Sequence, residues 1–263
     1  MTTTIIKVAA HAPAGSFGKG QIDRLQGFPG RDLVSLMRFA GTFANEADGA
    51  SGAPSGTYAF LEGGGVNFSD IANVRAPAIT VTDPWTIIAG VYVKAPVAAG
   101  PSGRRSIIRL ATDYGLRGLQ VFIEQTNGLP ITAEALHGAY LPVSLDGAVI
   151  SSFPSVPYDQ WVARFETPQT MVIRHHGGGQ ISLQQRVGKS VAQLSTQINI
   201  NSLRGGPGDL QPSQAPIFGM MSQFASGELI YDAAAVYSQC LNEYDLAVWT
   251  AAHEQLANSR GRS

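Results

Sequence analysis

From Thr57 onward, apolar and polar positions alternate with period two. In Thr86–Lys94, Ile87, Ala89, Val91 and Val93 share one face, and Ile88 and Tyr92 lie on the other. Gly118–Gln125 sets Leu119, Val121 and Ile123 opposite Gln120, Phe122 and Glu124, the pattern of a half-buried strand. Ser106–Ala111 and Gln160–Glu166 read as further short strands, and Leu33–Phe43 as a first one. Thr170–Arg174 and Gln180–Arg186 flank Gly177, Gly178 and Gly179, so they predict a hairpin whose turn uses glycine at positive φ. One helix is expected over 242–257. Asn242 caps it, Asp245 follows three residues on, and Leu246, Trp249, His253 and Leu256 form its apolar stripe. Short strands with turn residues between them predict a sandwich or barrel. A parallel sheet would need helical patterns between the strands, and these are missing.

Residues 1–32 are different. Turn clusters at His11–Ser16 and Gly27–Arg31 interrupt any periodicity, so this stretch reads as an extended arm ahead of a domain at 33–263. Lys7 breaks the apolar start at Ile5-Ile6, and no unbroken stretch of ~7–15 apolar residues follows, so no signal peptide is read. No window approaches the ~18 apolar residues of a membrane span either. The expectation is synthesis and folding in the cytosol without membrane insertion.

Composition narrows the classes further. Of 263 residues, 44% are hydrophobic and 14% charged, which supports a core and disfavours disorder. A net charge of -1 gives no field to attract nucleic acid. Cys240 is the single cysteine, which excludes an intrachain disulfide and a Cys-based zinc site.

Several segments, taken in order, resemble a laminin-G-like domain of the concanavalin A-like lectin and glucanase class. They are Gly56 to Phe68, Trp85 to Lys94, Ser106 to Leu110, Gln160 to Phe165 and, most specifically, Gly227 to Leu246. The resemblance covers roughly residues 33–257 and implies a jelly roll of two antiparallel sheets packed face to face. It implies binding of glycans or partner proteins more often than catalysis. Relatives that bind calcium do so between loops, so calcium is a possible ligand of unknown location; no other cofactor is implied. Residues 1–32 have no counterpart in the family.

The catalytic patterns of this fold are incomplete. Glu46-Ala-Asp48 and Glu243-Tyr-Asp245 lack the third carboxylate of the glucanase strand, and read as a turn and a helix start. Gly188-Lys189-Ser190 lacks the first glycine of a phosphate loop, since position 183 is Leu183, and reads as a turn. The aspartates, Asp232 among them, read mostly as turn residues. Arg260 and Arg262 in the tail, with Arg104 and Arg105, are too few for a nucleic-acid footprint. Trp85 and Trp161 read as core. Five residues remain as candidate ligand contacts. Arg174, His175 and His176 stand on the hairpin shoulder, and Tyr114 and Tyr140 in glycine-bearing loops could stack on a sugar.

Together these readings predict a non-enzymatic surface protein of a phage or phage-like particle, a spike or fibre component. Residues 1–32 would attach it to other particle proteins, and the jelly roll would touch host surface polysaccharide or a neighbouring subunit. A homo-oligomer, as a guess a trimer, is expected. Two alternatives stand beside it: a purely architectural subunit, and a glycan-processing enzyme using an unrecognised pair among Glu62, Glu124, Glu134, Glu166 and Glu228.

Overall fold

A computed structural model of the chain describes residues 24–25, 27–68, 72–94, 103–111, 118–125, 136–140, 166–197, 213–219 and 229–262. The strands in the first third are β1 (Arg24–Leu25), β2 (Phe28–Pro29), β3 (Leu33–Met37), β4 (Ala53–Ser55), β5 (Tyr58–Phe60), β6 (Val66–Phe68), β7 (Asn73–Arg75), β8 (Ile79–Thr80) and β9 (Trp85–Val93). They continue with β10 (Gly103–Ala111), β11 (Gly118–Gln125), β12 (Leu136–Tyr140), β13 (Pro168–His175), β14 (Gln180–Val187) and β15 (Ser190–Gln197). The last are β16 (Ser213–Gln214), β17 (Pro216–Gly219) and β18 (Leu229–Tyr237), followed by helix α1 (Glu243–Ser259).

Two antiparallel sheets carry the architecture. One runs β12-β11-β10-β17-β7-β4; the other runs β15-β14-β13-β9-β18-β6-β5, with β3 also paired to β18. Their inner faces enclose the main core, where Ile87, Ala89 and Val91 of β9 meet Ile108, Leu110, Val121 and Phe218 of the opposite sheet. The fold is the expected all-β jelly-roll sandwich with a single described helix.

The larger sheet is buried on both faces at its centre, which the alternation in β9 did not reveal. Ile88, Val172, Ala233, Ala235 and Tyr237 face the other way, under Leu246, Trp249 and Ala252 of α1. Small residues on the strands let the helix sit close. A Cβ added at Gly90 would come within 2.5 Å of the His253 ring. The capping reading of the helix holds: Asn242 is extended, and its side chain accepts from the Asp245 N–H at 2.9 Å.

Strand β3 ends at Met37, earlier than the run to Phe43 suggested. Phe39 adopts φ 44° and Gly41 φ 79°, so the chain turns and drops Phe39 and Phe43 into an aromatic cluster with Phe68. Residues 27–32, read as part of the arm, pack on the domain. Phe28 is 1% exposed, its ring edge-on to Trp249 at 5.1 Å, and the Tyr237 hydroxyl donates to the Pro29 carbonyl at 2.9 Å. Residues 1–23 lie outside the described residues.

The reading of Asp232 as a turn residue is corrected. It lies at mid-strand in β18, where the register with β9 slips between Tyr231 and Ala233, so it is the extra residue of a β-bulge. The bulge aims its carboxylate at the end of the chain. Arg260 donates to it at 3.0 Å, Arg262 binds it through both Nε and Nη2, and the His253 Nε2 stands 3.7 Å away. Arg260 also donates to the Arg38 carbonyl at 2.6 Å, and Arg262 to the Gly64 carbonyl at 2.8 Å. The apparent basic tail is therefore a clip folded into the domain.

Candidate functional site

The hairpin predicted around Gly177–Gly179 forms as expected. All three glycines have positive φ, and His175 pairs with Ile181 at its neck. Successive strand residues point to opposite faces, so the two histidines separate. His175 is fully buried beside Trp85, with ring centroids 5.6 Å apart. Its Nδ1 is 2.7 Å from the Asp83 carbonyl and its Nε2 accepts from the Gly179 N–H at 3.0 Å. That pattern requires the neutral ring protonated on Nδ1. Both nitrogens are committed to holding the turn, so the His175 ring has no nitrogen left for a ligand.

Arg174 and His176 share the opposite face and meet there. Arg174 is 5% exposed; its Nε donates to Ser182 Oγ at 3.2 Å and its Nη1 to the Leu241 carbonyl at 3.0 Å. His176 is exposed, with Nε2 2.7 Å from Ser182 Oγ and Nδ1 3.2 Å from Cys240 Sγ. Arg174, Ser182, His176 and Cys240 thus form one hydrogen-bonded chain, with Arg174 donating to Ser182. Burial lowers the His176 pKa, helped by the neighbouring Arg174 charge, while Glu243 opposes the shift. Burial raises the Cys240 thiol, so the ring and thiol are both neutral at physiological pH.

The group that organises this face is Glu243, the first residue of α1. One carboxylate oxygen accepts from Arg174 Nη2 at 2.7 Å and from Gln184 Nε2 at 2.9 Å, and the other accepts from Arg186. Burial alone would raise its pKa, but the Gln184 hydrogen bond and the two guanidinium charges bring it below the usual carboxylate range. The arginines are buried at 5% each, whereas the Glu243 side chain is 59% exposed. Glu243 thus pins the start of the helix to β13 and β14, a structural use of the second incomplete acidic triplet.

Beyond Glu243, the outer face of β14 and β15 is a strip of amides and hydroxyls. Register places Gln180 against Gln197, Ser182 against Ser195 and Gln184 against Gln193. Gln184 donates to Gln193 at 2.6 Å, Gln193 to Ser195 at 3.3 Å, and Gln197 to the Gly178 carbonyl at 2.5 Å. Gln180, Gln193, Ser195 and Gln197 are exposed. The strip carries Val191, 47% exposed, and Tyr244, 67% exposed, directly follows Glu243. Residues 188–190 make the tight turn between these strands, as read, with Gly188 at φ 57° and its N–H donating to Glu254 at 2.7 Å.

Tyr140 ends β12, the edge strand of the six-stranded sheet, in register with Gln120. Tyr114 and Trp161 lie outside the described residues. The first acidic triplet is a turn: Glu46 pairs with Arg38 at 2.5 Å, and Asp48 accepts from the Ala50 N–H at 2.9 Å. No group of three or more His, Cys, Asp or Glu side chains converges among the described residues in a way that could hold a metal. No helix among them is long and apolar enough to cross a membrane.

No family model matches the chain, and no curated protein matches it in sequence. Solved structures share its fold. The CBM2 module of the evolved Dit of Lactobacillus casei BL23 phage J-1 matches at TM-score 0.51 and 10% identity, over 80% of this chain and 97% of that module. The binding domain of botulinum neurotoxin serotype D/C VPI 5993 matches at TM-score 0.55 and 10% identity, over 84% of this chain. A botulinum neurotoxin type C structure, whose cell entry is described as dependent on interaction with two ganglioside molecules, matches at TM-score 0.53 and 10% identity, also over 84%. This chain spans about half of those toxin domains, 52% and 50% of their lengths. At such identities the shared property is the jelly roll itself, and function must be argued from the site.

Proposed function

We propose that the chain is a non-enzymatic, laminin-G-like glycan-binding module carried on the surface of a phage or phage-like particle. The observation that carries the reading is the exposed face of β14 and β15, where amides and hydroxyls stand in register, with the exposed Tyr244 next in the chain to the Glu243 that binds Gln184 of this face. Sugar hydroxyls both donate and accept, and a glutamine amide offers both functions in one group. An aromatic ring has an apolar face and a polar tip, which suits it to a sugar at a wet surface. The occurrence of the same fold in a phage Dit module named CBM2 supports the particle context.

A glycan array probed with the purified chain, with and without a calcium chelator, tests the binding claim. The expected result is selective binding that survives the chelator, because the polar strip contains no carboxylate cage. Chelator-sensitive binding would move the site to a calcium-bridged loop cluster, and no binding by folded protein would favour an architectural subunit. In the same reading, the segment before Arg24 attaches the module to its particle. A chain lacking residues 1–23 keeps Phe28 and should fold but drop out of assembled particles; undiminished incorporation would refute the attachment role.

A further inference from the structure

We propose, resting on the glycan-binding reading above, that the ligand is a neutral, extended polysaccharide lying along the strip formed by β14 and β15. The outward positions of β15 are Val191, Gln193, Ser195 and Gln197, and those of β14 facing them include Gln180, Ser182 and Gln184. None of these side chains is charged. The cations near them, Arg174 and Arg186, are 5% exposed and already engaged by Glu243. The Glu243 carboxylate, 59% exposed, is balanced by these two guanidinium groups, and the exposed Lys189 stands in the turn beyond the strip rather than on it. A uronate or sialylated chain would find no exposed cation among the outward positions of β14 and β15 to pair with its carboxylates. A neutral chain would meet the exposed amides and the Ser195 hydroxyl, with Val191 as an apolar position beside them.

The geometry favours an extended chain over a single sugar in a pocket. Exposed partners recur along β15 at every second residue, about 7 Å apart, and Gln180 adds a second row about 5 Å away across the ladder. These groups are held in place before any ligand arrives. Gln193 is fixed between Gln184 and Ser195, and Gln197 is tied to the Gly178 carbonyl. Pre-orienting the amides reduces the side-chain entropy lost on binding. Tyr244, 67% exposed and adjacent in the chain to Glu243, supplies the aromatic face on which a sugar ring rests.

The test uses the full chain with two soluble probes of matched length, a neutral hexose polymer and a polyuronate, run beside the array. Expected is binding to the neutral probe, weakened about tenfold by Gln193→Ala and by Tyr244→Ala at unchanged melting temperature. Ser195→Glu, which sets a charge in the middle of the exposed strip, should abolish it. Preference for the polyuronate, or wild-type affinity in all three variants, overturns this inference and leaves the glycan-binding reading standing on another surface. Binding to neither probe nor any array glycan overturns both.

Discussion

Replacing Asp232 by Ala lowers the stability of the folded protein by about 3–5 kcal/mol, the cost of leaving a buried cation without its partner. Arg260 and Arg262 both converge on this carboxylate, which is itself fully buried, and Arg262 remains 8% exposed with no second acid contacting it in the described structure. The clip is shaped for these two side chains. A Cβ at Gly64 would come within 2.8 Å of Arg260, and one at Gly65 within 2.6 Å of Arg262. Chemical unfolding of wild type and Asp232→Ala measures the loss directly. A difference under about 1 kcal/mol would mean the arginines find water or other partners when the acid is gone.

The same group makes stability depend on acid. Burial pushes the Asp232 pKa up, but the nearby His253 ring and the hydrogen bonds and positive charge of Arg262 outweigh it, and the value falls to about 2. A carboxylate depressed in the folded state stabilises that state fully above its unfolded pKa near 3.9, and loses the contribution as pH falls towards the folded value. Wild type should therefore lose its advantage over Asp232→Ala between about pH 4 and pH 2. Equal pH dependence in both proteins would contradict the assignment.

Trp249→Ala should cost about 3–5 kcal/mol as well, by a different mechanism. The indole is fully buried at the centre of the layer between α1 and the larger sheet, touching Phe28 edge-on and standing 5.8 Å from the His253 ring. Removing it leaves a cavity that the small residues Ala233 and Ala235 beneath the helix cannot fill. It also removes the main aromatic contact of Phe28, so the chain before Leu33 should become susceptible to limited proteolysis at Arg31. A variant that loses stability without that new cleavage would show that residues 27–32 are held by the Tyr237 and Ser238 hydrogen bonds instead.

The elements that were legible in the sequence are those whose signal is local. Period two marked β9 and β11, three glycines marked the turn between β13 and β14, and Asn242 marked the helix start. Strand β15 carries a weaker form of the same alternation, with mostly polar Val191, Gln193, Ser195 and Gln197 on its outward face. What local pattern cannot show is pairing across long separations. Glu243 reads as a helix-start acid, yet its partner Arg186 lies 57 residues earlier in β14. Asp232 reads as a polar turn residue, although an aspartate inside the apolar run Leu229–Tyr237 with two arginines at the chain end is the trace of a buried ion cluster. His175 and His176 are neighbours in sequence, and the strand's alternation sends one under Trp85 and the other to solvent.

The side-chain amide resonances of Gln180, Gln193 and Gln197 test the central claim most directly. Titrated with the best-bound oligosaccharide from the array, these amide protons should shift first and saturate with the binding isotherm, together with the ring signals of Tyr244. Shifts confined to residues of the six-stranded sheet, with the β14 and β15 amides unmoved, would contradict the account and place the glycan on the opposite face.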